Sequence, residues 1–256
     1  MRMKRGLLCI VLAFLMLTGC AGENATIQKI KQRGTLRVGV KVDVPNFGML
    51  NEASGAIEGL EIDIARQLAK AILGSESAIA FTPAIALTRE SLLNNDEIDL
   101  IIATYTITDA RKQLHHFSEP YYTDEIGFLV DNNSDAKTPD DLMGKLVGVT
   151  ASTTAHAALI SDIESGAVAC QLSEYSSYPE MMAALLYGSI DAFAADKSIL
   201  HGYIDTHTRL LEVGMHPQPY GIATRLDDPG FAKYIDAQLK AMKDDGRLDE
   251  IINKWL

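Results

Sequence analysis

Apolar residues alternate between two spacings from residue 36 to the C-terminus. Short apolar runs at 36–40, 98–103, 146–149 and 190–195 predict strands. Between them the apolar period lengthens. Over 61–73, Ile64, Leu68 and Ile72 recur at i, i+4 and i+8, and Gly74 follows as a stop. Thr138-Pro139-Asp140-Asp141 reads as a helix start, with a capping hydroxyl, a first-turn proline and an acid three residues on. A helix over 179–187 is closed by Gly188. Two amphipathic helices, 231–242 and 248–255, end the chain; in the second, Leu248, Ile251, Ile252 and Trp255 share one face. Strands alternating with helices predict an α/β fold with largely parallel sheets. There is no internal repeat, low-complexity stretch or long linker. Any domain boundary is therefore a crossing of strands, for which 126–130 and 220–224 are the extended candidates.

The N-terminus has a different pattern. Arg2, Lys4 and Arg5 precede an apolar run over 7–17, too short to span a bilayer. This predicts a secretory signal. Its cleavage region, Leu17-Thr18-Gly19-Cys20, resembles the lipobox of bacterial lipoproteins. That resemblance implies removal of 1–19 and a diacylglyceryl group on Cys20, a membrane anchor that two or more acyl chains make stable. An ordinary signal with a chance cysteine is the alternative. Residues 20–28 then read as the lipidated cysteine and a short tether.

The remaining length allows one large domain or two small ones. The net charge of −11 becomes −14 without the three basic residues of the signal. Nucleic acid is excluded as a partner, since phosphate binding needs a basic footprint. Cys170 is then alone, so stability comes from the core and not from a disulfide.

The chain lacks a Gly-x-Ser-x-Gly elbow, a phosphate-cradling glycine loop, HExxH and CxxC. No metal or cofactor is expected. His115 and His116 point to opposite sides of an extended segment and read as surface residues; His156 and His201 have no partner at ligand spacing. The informative positions are polar residues at the ends of apolar strands, which face the ligand crevice in α/β folds. They are 41–47, the hydroxyl-rich turn Thr104-Tyr105-Thr106-Ile107-Thr108 with Arg111, and Asp196. An arginine takes a carboxylate with two parallel bonds, and an aspartate neutralises an ammonium. Together with hydroxyls they match a free amino acid.

At these residues the chain resembles the polar amino-acid solute-binding proteins of ABC importers. The motifs are Thr104-Tyr105-Thr106-Ile107-Thr108 with Arg111, Phe117-Ser118-Glu119-Pro120-Tyr121-Tyr122, Gly59-Leu60-Glu61-Ile62-Asp63, Asp191-Ala192-Phe193-Ala194-Ala195-Asp196 and Pro219-Tyr220-Gly221. The resemblance implies a two-lobed, type II (Venus-flytrap) periplasmic binding protein with two hinge-crossing strands. Lobe one would be 26–126 plus 221–256 and lobe two 131–216. It implies a monomer that closes on an amino acid and docks on a membrane permease. Lys41 and Val44 stand where many relatives carry an acid and an aromatic, which disfavours a basic ligand. The segment 39–45 with Thr88-Arg89 is most similar to aspartate- and glutamate-binding members.

The resemblance assigns Arg111, Thr106 and the amides near Thr153 and Thr154 to the α-carboxylate, and Asp196 to the α-ammonium. Lys41, Arg89, Thr104 and Tyr178 would surround a side-chain carboxylate, and Tyr220 would line the cleft near the hinge. Phe47 is a wall or a core residue. Glutamine or cystine is the alternative ligand. A dehydratase-like enzyme on the same fold is the alternative class, but it needs a cleft acid beyond Asp196.

Overall fold

The computed structural model describes residues 24–256; the expected signal and the expected lipidation of Cys20 fall outside them. Two sheets carry the architecture. The first has the order Ile79–Pro83, Leu36–Val40, Leu100–Ile102, Ala223–Arg225, His115–Phe117. Leu36–Val40 is parallel to both neighbours, while Ala223–Arg225 is antiparallel to both of its own. The second has the order Gln171–Tyr175, Leu146–Thr150, Ala192–Asp196, Tyr122–Asp131, Thr208–Leu210, with Met215–Tyr220 also on Tyr122–Asp131. The sheets are mixed rather than largely parallel. The long strand Tyr122–Asp131 runs against Ala192–Asp196, Thr208–Leu210 and Met215–Tyr220.

Each sheet buries its apolar face under helices. In Leu60–Leu73 the predicted period is realised, with Ile64, Leu68 and Ile72 buried and Gly74 closing the helix in the left-handed region. Leu36, Val38, Val40, Phe231, Ile235 and Leu239 join the same core. Each such side chain is worth roughly 1.5–3 kcal/mol on burial. Phe128, Val130, Val147, Val149, Ala192 and Ala194 form a separate cluster on the second sheet. Gly59 caps the start of Leu60–Leu73 at φ 145°, and a Cβ there would stand 2.1 Å from the Phe47 carbonyl oxygen. Only glycine combines that backbone with that approach.

The chain crosses between the sheets twice, giving a two-lobed α/β fold. One crossing runs between Phe117 and Tyr122, the other between Tyr220 and Ala223. They are bonded to each other: Ser118 N–H donates to the Ile222 carbonyl, Tyr121 N–H to the Tyr220 carbonyl, and Ile222 N–H to Ser118 Oγ. The outgoing crossing therefore precedes 126–130, because 122–126 already pairs with Met215–Tyr220 in the second sheet.

Three local expectations are corrected. Residues 25–28 are not tether but the start of a helix, Ala25–Arg33. Asn24 caps it by accepting from the Thr26 and Ile27 amides, and Ile27 and Ile30 are buried. Asn24 and Thr26 also bond to Asp228, docking this helix on the C-terminal helices. Thr138 does make its capping box, but with only one 3-10 turn, Pro139–Leu142. His115 is buried, 1% exposed, not on the surface. Its ring packs 6.2 Å from that of Tyr105, and burial pushes its pKa down. Among the described residues no helix is long and apolar enough to cross a membrane.

Candidate functional site

The ends of the strands of both sheets face a shared cavity. Lys41, Arg89, Thr104 and Thr106 line it from the first lobe, and Thr153, Thr154, Tyr178 and Asp196 from the second. Eight of the ten ligand-contact residues expected from sequence are thus brought together. Arg111 and Tyr220 lie beside them, bonded to Thr106 and Asp196.

Arg89 is the first residue of the helix Arg89–Asn94, where the dipole disfavours a cation. It is 4% exposed. Its Nη1 donates to the Ala103 carbonyl at 3.0 Å, its guanidinium lies 4.0 Å over the Tyr105 ring, and its Nε is buried without a partner. Burial pushes its pKa down, with no acid within ion-pair distance to offset it. Lys41, at the end of Leu36–Val40, is also buried, and burial lowers its pKa. It pairs with Asp43 at 2.9 Å and lies 5.0 Å from the centre of the Tyr178 ring. Asp43 is a neighbour that sequence reasoning did not assign; it follows Lys41 by two residues on the small hairpin over 43–50.

Arg111 lies in the short helix Asp109–Lys112, capped by Thr108. Its Nη1 donates to the Thr106 carbonyl at 2.8 Å, and its guanidinium lies 4.5 Å from the Tyr105 ring centre. Neither nearby acid holds it: Asp109 pairs with Lys112 and Glu119 with Lys243. Burial, and then the charge of Arg89, push its pKa down to about 10. Opposite, Thr153 caps the helix Thr154–Ser165 by accepting from the His156 amide. The first turn of that helix therefore faces the cavity with free amides, a natural place for an anion. Thr106 Oγ1 meets Thr154 Oγ1 at 3.1 Å across the cleft.

Asp196 ends the strand Ala192–Asp196 and is buried. Burial pushes its carboxyl up to about 7, although Tyr220 Oη donates to Oδ2 at 2.5 Å. Tyr220 therefore supports Asp196 from behind. Its ring packs against Phe47, Tyr121 and Tyr122 at centroid distances near 6 Å. Phe47 is a core residue with no exposure.

Glu61 was also left without a role. It sits in the first turn of Leu60–Leu73 with no exposure, and burial pushes its carboxyl up to about 7. The sequence signals were its place in the motif 59–63 and on the helix face of Ile64, Leu68 and Ile72; an acid at a helix start is also what the helix dipole favours. Among the described residues no cluster of side chains could hold a metal ion. In sum, the cavity offers two buried cations, a third beside it, one carboxylate, a helix N-terminus and hydroxyls.

A profile of known proteins matches the same span. The family of bacterial extracellular solute-binding proteins, family 3, covers residues 36–256. The chain is 36% identical to the glutamine-binding protein of an ABC transporter in Bacillus subtilis (strain 168), over 95% of this chain and 93% of that one. It is 30% identical to a glutamate-binding protein of Corynebacterium glutamicum, over 96% and 87%. Among solved structures, a solute receptor for L-cysteine from Neisseria gonorrhoeae superposes with a TM-score of 0.81 at 26% identity, covering 90% of this chain and 93% of that one. With its two lobes, double crossing and shared cavity, the chain belongs to family 3 of the bacterial extracellular solute-binding proteins.

Proposed function

We propose that this is the substrate-binding lipoprotein of an amino-acid ABC importer, and that its ligand is L-aspartate or L-glutamate. The α-carboxylate would meet Arg111, Thr106 and the amides at Thr153 and Thr154, and the α-ammonium would meet Asp196. That arrangement leaves Arg89, and it carries the reading. Its guanidinium is buried in the cavity wall with Nε unpartnered and no acid in ion-pair contact. A side-chain carboxylate from the ligand would supply the missing acceptor and charge. Leaving a buried cation uncompensated costs about 3–5 kcal/mol, and half of that separates acid from amide by more than tenfold. Cys20 would hold the receptor at the membrane beside its permease, as a monomer. No catalytic role is assigned, since the one carboxylate lining the cavity is already engaged with the ammonium.

A second reading, glutamine, has its own support. Lys41 already has Asp43 at 2.9 Å, so it does not need a ligand carboxylate. Relatives that bind glutamine and glutamate both resemble the chain. Calorimetric titration of the ligand-stripped protein with Asp, Glu, Asn, Gln and cystine decides between them. Tighter binding of Glu or Asp than of Gln by tenfold or more is expected. Equal or tighter binding of Gln would make the amide the ligand. If Arg89 meets a ligand carboxylate, the variant Arg89→Met should weaken Asp or Glu far more than Gln.

A further inference from the structure

Glu61 is a fully buried acid that the ligand contacts do not use. Its Oε1 accepts from the Thr104 amide at 2.5 Å and from Tyr121 Oη at 2.5 Å; its Oε2 has no partner. Each contact reaches a different part of the machinery. Thr104 lines the cavity, and its backbone is in the left-handed region at φ 42°, which a β-branched residue rarely adopts. The strain, on the order of 1–3 kcal/mol, needs a partner that holds it. The Thr104 amide is turned away from the sheet and into Glu61. Tyr121 lies in the outgoing crossing, and its own amide bonds the return crossing at Tyr220. One carboxylate oxygen thus joins the helix Leu60–Leu73, the hydroxyl turn of the site and the crossing. The other charged groups acting on it are Lys41 from the first strand and Arg89 from the helix behind the cavity.

We propose that Glu61 is a positioning residue: by the reach of its Oε1 to Thr104 and Tyr121, it holds the 104–106 turn in its binding geometry against the crossing between the lobes. The inference rests on the cavity being an amino-acid site, and not on which amino acid occupies it.

Two substitutions separate reach from charge. Glu61→Asp keeps the charge but is shorter by one methylene, so it cannot meet both donors. Glu61→Gln keeps an acceptor oxygen at full reach and removes the charge. The full chain, purified in detergent, is titrated with L-aspartate, L-glutamate and L-glutamine, with near-ultraviolet circular dichroism as the check of fold. Glu61→Asp is expected to lose tenfold or more in affinity for whichever of the three binds the wild type best. Glu61→Gln should stay within about threefold of wild type. Wild-type affinity in Glu61→Asp, or a tenfold loss in Glu61→Gln, would overturn the proposal, and both together would show that charge is what matters. If Glu61→Asp does not fold, the Glu61→Gln titration alone decides. A wild type that binds none of the three defeats the reading of the cavity, and the positioning role with it.

Discussion

Tyr220 donates its hydroxyl to Asp196 across 2.5 Å, and neither residue is accessible to bulk solvent. The aspartate that would meet an incoming ammonium is therefore held by a side chain at the end of the strand entering the return crossing. If Asp196 meets the ammonium, this hydrogen bond would tie recognition to any movement of the lobes.

Removing that hydroxyl isolates its effect. Tyr220→Phe keeps the ring packing against Phe47 but leaves Asp196 without its donor. A hydrogen bond to a charged group is worth about 1.5–3 kcal/mol, so affinity should fall by roughly tenfold or more. Calorimetry at pH 8 reads it directly; an unchanged affinity would show that Asp196 needs no support.

Acidity should act on the empty and loaded protein in opposite directions. Asp196 and Glu61 hold their protons up to about 7 in the fold, chiefly because burial disfavours the charge. In the unfolded chain both ionise near 4. Between about 4 and 7 the fold binds more protons than the unfolded chain, so its stability falls as pH rises through that window. The ligand-free protein should melt higher at pH 5.5 than at pH 8. Binding runs the other way, because an ammonium needs the Asp196 carboxylate. Affinity should fall as pH drops below 7, by about tenfold per unit. Thermal melts and titrations across pH 5.5–8.5 check both slopes, and Asp196→Asn should remove the Asp196 part of each.

The two lobes have a tight point of contact beside the cavity. Gly202 packs on Pro45 from the opposite lobe, and a Cβ there would lie 2.5 Å from the proline Cβ. Beside it, Tyr203 Oη donates to the Asp43 carbonyl at 2.5 Å. Gly202→Ala should hold the lobes slightly apart and reduce the population of the closed form. A loss of about tenfold in affinity for every ligand is expected, since apparent affinity scales with the competent fraction. Small-angle scattering with saturating ligand should give a larger radius of gyration than wild type. Identical scattering and affinity would show that the contact is slack.

The proposed lipid can be tested independently of binding. Cys20→Ala should move the protein from the membrane fraction to the soluble exported fraction, with calorimetric affinity unchanged. Continued membrane association would remove the anchor assigned to Cys20.

The order of elements was readable from apolar spacing, because strands and helices each bury one face and leave a period behind. The site was readable at Arg89 because a cation in a first helical turn is locally unfavourable and needs a tertiary reason. Glu61 was legible only in part: it shares the helix face of Ile64, Leu68 and Ile72, but a first turn welcomes an acid on its own account. Asp43 escaped for a similar reason: its pairing with Lys41 depends on how the hairpin folds back. Residues 25–28 looked like tether because their few apolar side chains, Ile27 among them, acquire meaning only against the C-terminal helices. The mixed pairing of the second sheet came from the return of the chain along Tyr122–Asp131, a long-range contact that local pattern does not encode.

The cavity walls come from both lobes, with Thr106 and Thr154 in contact across the gap. The consequence is kinetic. A ligand held between those walls would leave as the lobes part. Where that is the route out, its dissociation rate could not exceed the frequency of opening, however weak the individual contacts are. Ligands of different affinity would then share one upper limit on release, set by the protein. A permease that draws the lobes apart would act as an accelerator of that step, and the receptor would keep its cargo until it met one.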